Sequence, residues 1–410
     1  MAFDYTLLED GQGTLHLISF EALSPYHRIL APNGAWSQPQ QITGENFFGN
    51  YWVGVTPEGC PCVVWADMEI SYAAETRGAR VHVLRVLLFR DGKWQKQPET
   101  YDFMGENGMD MSDFELLDVA FDALGEPHFF YRATQGPPGV GLLDDDVMAV
   151  SGFFVDGRQL TECDIYPYRI AEQKPEPVER SVVKGVGDMC EPVRFYIDGE
   201  NVYHLLYCDE NSRIDSGGGV CFKNYCHSFS RDGGATWEGP AQVFENEPTI
   251  TESGQRIPKS IEDVFVDEDK SGNLRITVLY DKFAQPQVRV TTLNHDTFEP
   301  DISDGWFGDK QTTEALELTP IDEVSVYHGM EFQTVVTDPA GRLHFITNGV
   351  SAEYWDISHV EGNVWLLRDI EKPMKNATLV AVYMRSNGNL VLLANDYGEL
   401  LFYAEITPAR

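Results

Sequence analysis

Ser230-Arg231-Asp232-Gly233-Gly234-Ala235-Thr236-Trp237 is a turn spelled out in side chains. Asp accepts hydrogen bonds from nearby backbone amides, and Gly tolerates the positive φ that a tight hairpin demands, so Asp232 and Gly234 suit such a turn. Ser230 and Thr236 flank it, and Trp237 supplies a large apolar face to bury between strands. The stretch fits Ser-x-Asp-x-Gly-x-Thr-Trp at every fixed position and occurs once in the 410 residues. It places one hairpin, and similar punctuation recurs on both sides of it.

One unit repeats along the chain: an apolar strand, an Asp/Gly-type turn and a second strand that ends in polar residues. Its copies span Asp4–Glu21, Tyr51–Asp67, Leu116–Ala133, Pro192–Asp209, Ile261–Lys282, Phe332–Gly349 and Leu379–Asp396. A further pair of strands follows most copies, often with a Gly-x-Trp such as Gly34-Ala35-Trp36 or Gly92-Lys93-Trp94. No amphipathic helix separates them. The pattern predicts an all-β fold, a seven-bladed β-propeller of four-stranded antiparallel blades, with six blades as the alternative. The chain reads as one domain, 1–410, with larger insertions near 135–188, 211–226 and 296–328. The short last unit is expected to be completed by the N-terminal segment, clasping the ring shut.

The Ser230–Trp237 stretch resembles the Asp box of the sialidase/BNR-repeat β-propeller superfamily, where it closes the hairpin between the third and fourth strands of a blade. Arg256-Ile257-Pro258 is similar to the sialidase Arg-Ile-Pro, whose arginine grips a substrate carboxylate, although here it precedes the fifth unit rather than the first. The resemblance implies a sialidase-like glycoside hydrolase with its active centre away from the box. In blade organisation the chain is also similar to seven-bladed polysaccharide lyases and rhamnosidase-like enzymes, which use histidine, tyrosine and arginine at the funnel.

Bulk properties narrow the partners. A formal net charge of −35 and a pI near 4.5 argue against nucleic acid, which requires a basic footprint. No apolar run approaches the roughly 18–20 residues of a membrane span, so no membrane partner is expected. The N-terminus carries no basic-then-apolar leader, which predicts a cytoplasmic protein, or a secreted one if a signal was removed. Seven cysteines, Cys60-Pro61-Cys62 among them, form no metal pattern. Asp267–Gly272 reads as a hairpin turn rather than a calcium loop, because Val278 stands where a bidentate Glu is needed. No cofactor and no metal are expected. His16, His128, His204 and His344 share one repeat position just after the turn, which predicts a structural role.

In a propeller the first strands run from the funnel to the opposite face, so second-strand ends and the segments entering first strands converge on the funnel. Glu21, Asp67, Asp209, Asp281 and Asp396 stand at such strand ends. Converging carboxylates can divide into a protonated acid and an ionised partner, the requirement for glycosidic cleavage. The catalytic candidates are Asp67, Asp209, Asp281, Tyr280 and His328; Arg132, Arg256, Lys282, Tyr131, Glu210 and Glu331 are the substrate-binding candidates. Glu262 and Asp263 add carboxylates at the entry to the fifth unit. The expected function is cleavage of a glycosidic bond in an acidic or polyhydroxylated glycan, by a sialidase-like hydrolase. A lyase acting on a uronate-containing glycan, and a non-catalytic propeller binding a glycan or a protein, are the alternatives.

Overall fold

The computed structural model describes residues 5–21, 24–31, 34–44, 51–70, 80–97, 101–103, 110–136, 149–165, 179–209, 212–216, 219–222, 224–245, 249–250, 256–257, 261–280, 287–298, 300–305, 310–312, 319–323, 333–348, 354–360, 364–370, 377–396 and 400–407. Every regular element among them is a strand, and no helix is long and apolar enough to cross a membrane. Seven sheets of four or more strands follow one another. Their first strands are Tyr5–Glu9, Tyr51–Val55, Asp110–Phe121, Met189–Ile197, Ile261–Glu268, Gln333–Thr337 and Ala377–Met384, each in one of the seven repeats read from the sequence. Six sheets are antiparallel throughout; the sixth in chain order adds a parallel edge strand, Lys310–Thr312, to four antiparallel ones. The ring is a β-propeller of small antiparallel sheets, numbered as blades 1 to 7 in chain order.

One turn builds every first hairpin. The amide of residue i donates to the carbonyl of i+4, and the amide of i+3 donates to the carbonyl of i, with i at Asp10, Thr56, Asp122, Asp198, Asp269, Asp338 and Arg385. Residue i+3 takes positive φ: Gly13, Gly59, Gly125, Asn201, Gly272, Gly341 and Gly388. That conformation excludes most side chains and accounts for the Gly/Asn punctuation. In five turns the Asp carboxylate accepts the amides of i+2 and i+4, as Asp198 does from Glu200 at 2.9 Å and Val202 at 2.8 Å. Asp267–Gly272 leads into one of these hairpins, as expected.

The repeated histidines lie beside those turns. Nε2 of His16 is 3.2 Å from Asp10 Oδ2, and Nε2 of His204 is 3.2 Å from Asp198 Oδ2. Their Nδ1 atoms bond to a second histidine on the third strand, His27 at 2.8 Å and His227 at 2.9 Å. Each stacked pair is sealed by a phenylalanine of the next blade, Phe89 or Phe298.

Ser230–Trp237 turns between Asn224–Ser230 and Glu238–Glu245, the third and fourth strands of blade 4. Asp232 accepts the Thr236 amide at 2.8 Å and the Thr236 hydroxyl at 2.7 Å, and these bonds hold its carboxyl at about 2. Trp237, 6% exposed, packs in a cluster with Phe195 and Tyr203, a burial that contributes roughly 2–3 kcal/mol.

Ring closure departs from expectation. Tyr5–Glu9 is the first strand of blade 1, while blade 7 takes its fourth strand from Thr319–Glu323, a segment lying in the chain between the edge strand Lys310–Thr312 and the first strand of blade 6. The N-terminal strand closes the ring through side chains instead of pairing. Glu9, buried, accepts Arg385 Nε at 3.0 Å and the Ser386 amide at 2.6 Å from blade 7. Arg385 also binds Glu405 at 3.1 Å and the Gly13 carbonyl at 2.9 Å.

Candidate functional site

First strands of blades 2 to 6 line a cavity of about 640 Å³ on the ring axis, running toward the first-hairpin turns. Trp52, Asp118 and Arg194, each four residues before the first residue of its turn, occupy one level of it. They form a chain across consecutive blades. The Trp52 side chain lies beside the Asp118 carboxyl, which accepts the Val119 amide at 3.0 Å and the Phe195 amide at 3.3 Å from blade 4. Burial nonetheless dominates and pushes the Asp118 carboxyl up to about 6, against the pull of the neighbouring Arg194 charge. Arg194 spends each of its three nitrogens: Nε on the Val264 carbonyl at 2.8 Å, Nη1 on the Val193 carbonyl at 2.9 Å and Nη2 on Asp263 of blade 5. Two carboxyls thus flank one arginine in unlike environments, Asp263 tied to the cation and Asp118 in the drier position.

Farther from the turns, Arg132 bridges Glu115 of its own blade at 3.1 Å and Glu191 of blade 4 at 3.0 Å. All three are about half exposed, as befits the mouth of a channel. Asp209 ends its strand opposite Met189, two residues from Glu191. Asp209 therefore stands at the end of its strand nearest Glu191 in register, on the side away from the turns.

Other candidates fare differently. Tyr131 is 1% exposed, stacked between Phe114 and Phe154, and its hydroxyl meets the Gly157 amide; its alternation in the strand turns it into the blade core, away from a ligand. Asp67 does not end its strand, since pairing continues to Ile70. Arg256-Ile257 forms a separate two-stranded ribbon with Thr249–Ile250. For Asp67, Tyr280 and Arg256 only the backbone is described, and Asp281, Lys282, Glu210, Glu331 and His328 lie outside the described residues. Trp52, Asp118 and Arg194 were not among the sequence candidates. The available signal was a charge at a fixed offset before the turn, in LLDVAF and PVRFYI. Among the described residues no group of three or more His, Cys, Asp or Glu is placed to hold a metal ion.

No protein-family model matches the chain, and no curated protein matches it. Solved structures do. The polysaccharide lyase Uly1 aligns over 98% of this chain and 89% of its own, at 10% identity and a TM-score of 0.44. Prolyl oligopeptidase B from Galerina marginata aligns over 96% of this chain but 47% of its own, at 10% identity and a TM-score of 0.45. An endo-arabinase from Bacteroides thetaiotaomicron VPI-5482 aligns over 75% and 94%, at 14% identity and a TM-score of 0.30. With TM-scores this low the fold rests on the sheet topology described above, and function rests on the site.

Proposed function

We propose that this propeller is a carbohydrate-active enzyme that cleaves a glycosidic bond by hydrolysis in its central channel. The observation that carries the reading is Trp52, Asp118 and Arg194 on the wall of the axial cavity, with Asp263 paired to Arg194 behind them. A carboxyl titrating near 6 is protonated often enough to donate to a leaving glycosidic oxygen, and a carboxylate paired with an arginine can activate water or steady positive charge. Asp118 takes the first role and Asp263 the second. Asp209 and Arg132 belong to the same proposal as groups that receive the glycan at the other end of the channel, and Asp67, Asp281, Tyr280 and His328 are proposed as further catalytic groups from their sequence positions. The Ser230–Trp237 turn supports a sialidase-like scaffold within this class.

The test is incubation of the protein with a broad glycan panel, scoring new reducing ends and ultraviolet-absorbing unsaturated products. Hydrolysis predicts reducing ends without unsaturation, and Asp118→Asn lowering the rate by about 10²–10⁴. The wild-type rate falls as pH rises through about 6, as Asp118 loses its proton. Unsaturated products convert the reading to a lyase; binding without either product converts it to a non-catalytic propeller.

A further inference from the structure

We infer that Trp52 is the floor of a saccharide subsite beside Asp118, and that this subsite selects neutral pyranosides presenting an unsubstituted C–H face. The inference rests on the glycan reading above. Trp52 differs from the structural tryptophans: Trp65 is 1% exposed within a core cluster, whereas Trp52 is half-buried and lines the axial cavity. Its ring is held in one orientation by three contacts. The Asp118 carboxyl lies beside it, and Phe121 packs at 5.8 Å. The third contact is an absence of side chain: the benzo edge lies over Gly54, where a Cβ would sit 2.1 Å from Cη2. Gly54 has no positive φ to explain it, so what the glycine provides is room for the indole.

A flat, pre-oriented aromatic surface beside an acid matches a sugar ring's C–H face, with hydroxyls reaching the carboxyls around it. The charge lining the cavity sets the selection. Arg194 is ion-paired with Asp263, and Arg275 is engaged by Asp267, Thr337 and the Gly341 carbonyl. Both cations are thus already compensated by a carboxylate, Asp263 and Asp267, leaving Asp118 beside the subsite. A uronate or sialate entering here meets no uncompensated cation among the described residues, and like charge once Asp118 ionises.

Fluorescence titration of the full chain decides this without any turnover. Neutral and acidic oligosaccharides of matched length are titrated into wild type, Trp52→Ala, Trp52→Phe and Gly54→Val, each checked for a native melting transition. We expect neutral ligands to bind at least about tenfold more tightly than acidic ones. Trp52→Ala and Gly54→Val should each cost neutral binding about tenfold, and Trp52→Phe, which keeps a ring, should cost less. If Trp52→Ala does not fold, Gly54→Val and Trp52→Phe decide alone. Neutral binding undiminished by these substitutions, or a preference for acidic ligands, overturns the inference and leaves the glycan reading standing. Failure of every glycan to bind overturns both.

Discussion

Asp118 illustrates how a functional group hides in a sequence. In Leu116-Leu117-Asp118-Val119-Ala120-Phe121 a lone carboxylate within an apolar strand reads as an irregularity of packing. Only the ring brings it beside Trp52 and Arg194, residues 66 and 76 positions away, and no periodicity within one strand encodes that meeting. A carboxyl raised to about 6 from the ordinary 3.8 also costs stability. Its folded form prefers the proton, so the penalty is absent at low pH, grows as pH climbs past 4 and is complete above about 6. Asp118→Asn should therefore raise unfolding stability at pH 8 by on the order of 1–3 kcal/mol and change it little at pH 3.5. Equal effects at both pH values, in urea titrations, would contradict the raised carboxyl.

The buried histidines act in the opposite sense. Burial, with the neighbouring His16, pushes His27 down to about 3, and burial pushes His227 well below its usual range. Both stay neutral when folded and gain protons when unfolded, so stability present above about 6.5 is lost as pH falls below it. Lowering pH from 7 to 5 should cost about 2 kcal/mol per histidine. His27→Gln should flatten that slope, and a urea midpoint insensitive to pH over this window would refute the account.

At the scale of the element, the first-hairpin turn was the most legible part of the chain. Its chemistry is local: an Asp that folds back on its own amides and a glycine at i+3, both visible in sequence. Legibility falls where an element depends on a distant partner. Asp67 looked like a strand end because polarity rises there, yet pairing with the third strand carries it on to Ile70. Tyr131 looked accessible for the same reason, until inter-blade packing enclosed it. The turns also differ in what surrounds them. At Gly59, φ is +79° and a Cβ would lie 2.5 Å from the Gly11 Cα of the neighbouring turn; at Gly34, φ is +80° with nothing within 4 Å. Gly34→Ala should cost about 1 kcal/mol, the strain of the left-handed region alone. Gly59→Ala should cost more, about 2–4 kcal/mol, because two blades must separate as well. Chemical denaturation of both variants checks the order, and equal losses would show that the turn–turn contact does not matter.

For the whole molecule, the sevenfold repeat made the propeller readable, because each unit repeats one supersecondary pattern. Its closure was not readable. A fourth strand recruited from Thr319–Glu323 and an ion pair between residues 9 and 385 are long-range events with no local signature. The Glu9 side chain is only 4% exposed, so removing its partner leaves a buried charge uncompensated. Arg385→Met should cost about 3–5 kcal/mol, and pairing it with Glu9→Gln should recover part of that loss. A double variant no more stable than Arg385→Met would show that the seal lies elsewhere.

The central claim is that a glycan is cleaved on the axis of the ring, between Trp52 and Asp118. A crystal structure of the Asp118→Asn protein soaked with a neutral oligosaccharide that the wild type hydrolyses tests it most directly. The account predicts a sugar ring stacked on the Trp52 indole, with a glycosidic oxygen within hydrogen-bonding distance of residue 118. Sugar density outside the axial channel, or a channel in which the glycosidic oxygen faces neither Asp118 nor Asp263, would contradict it.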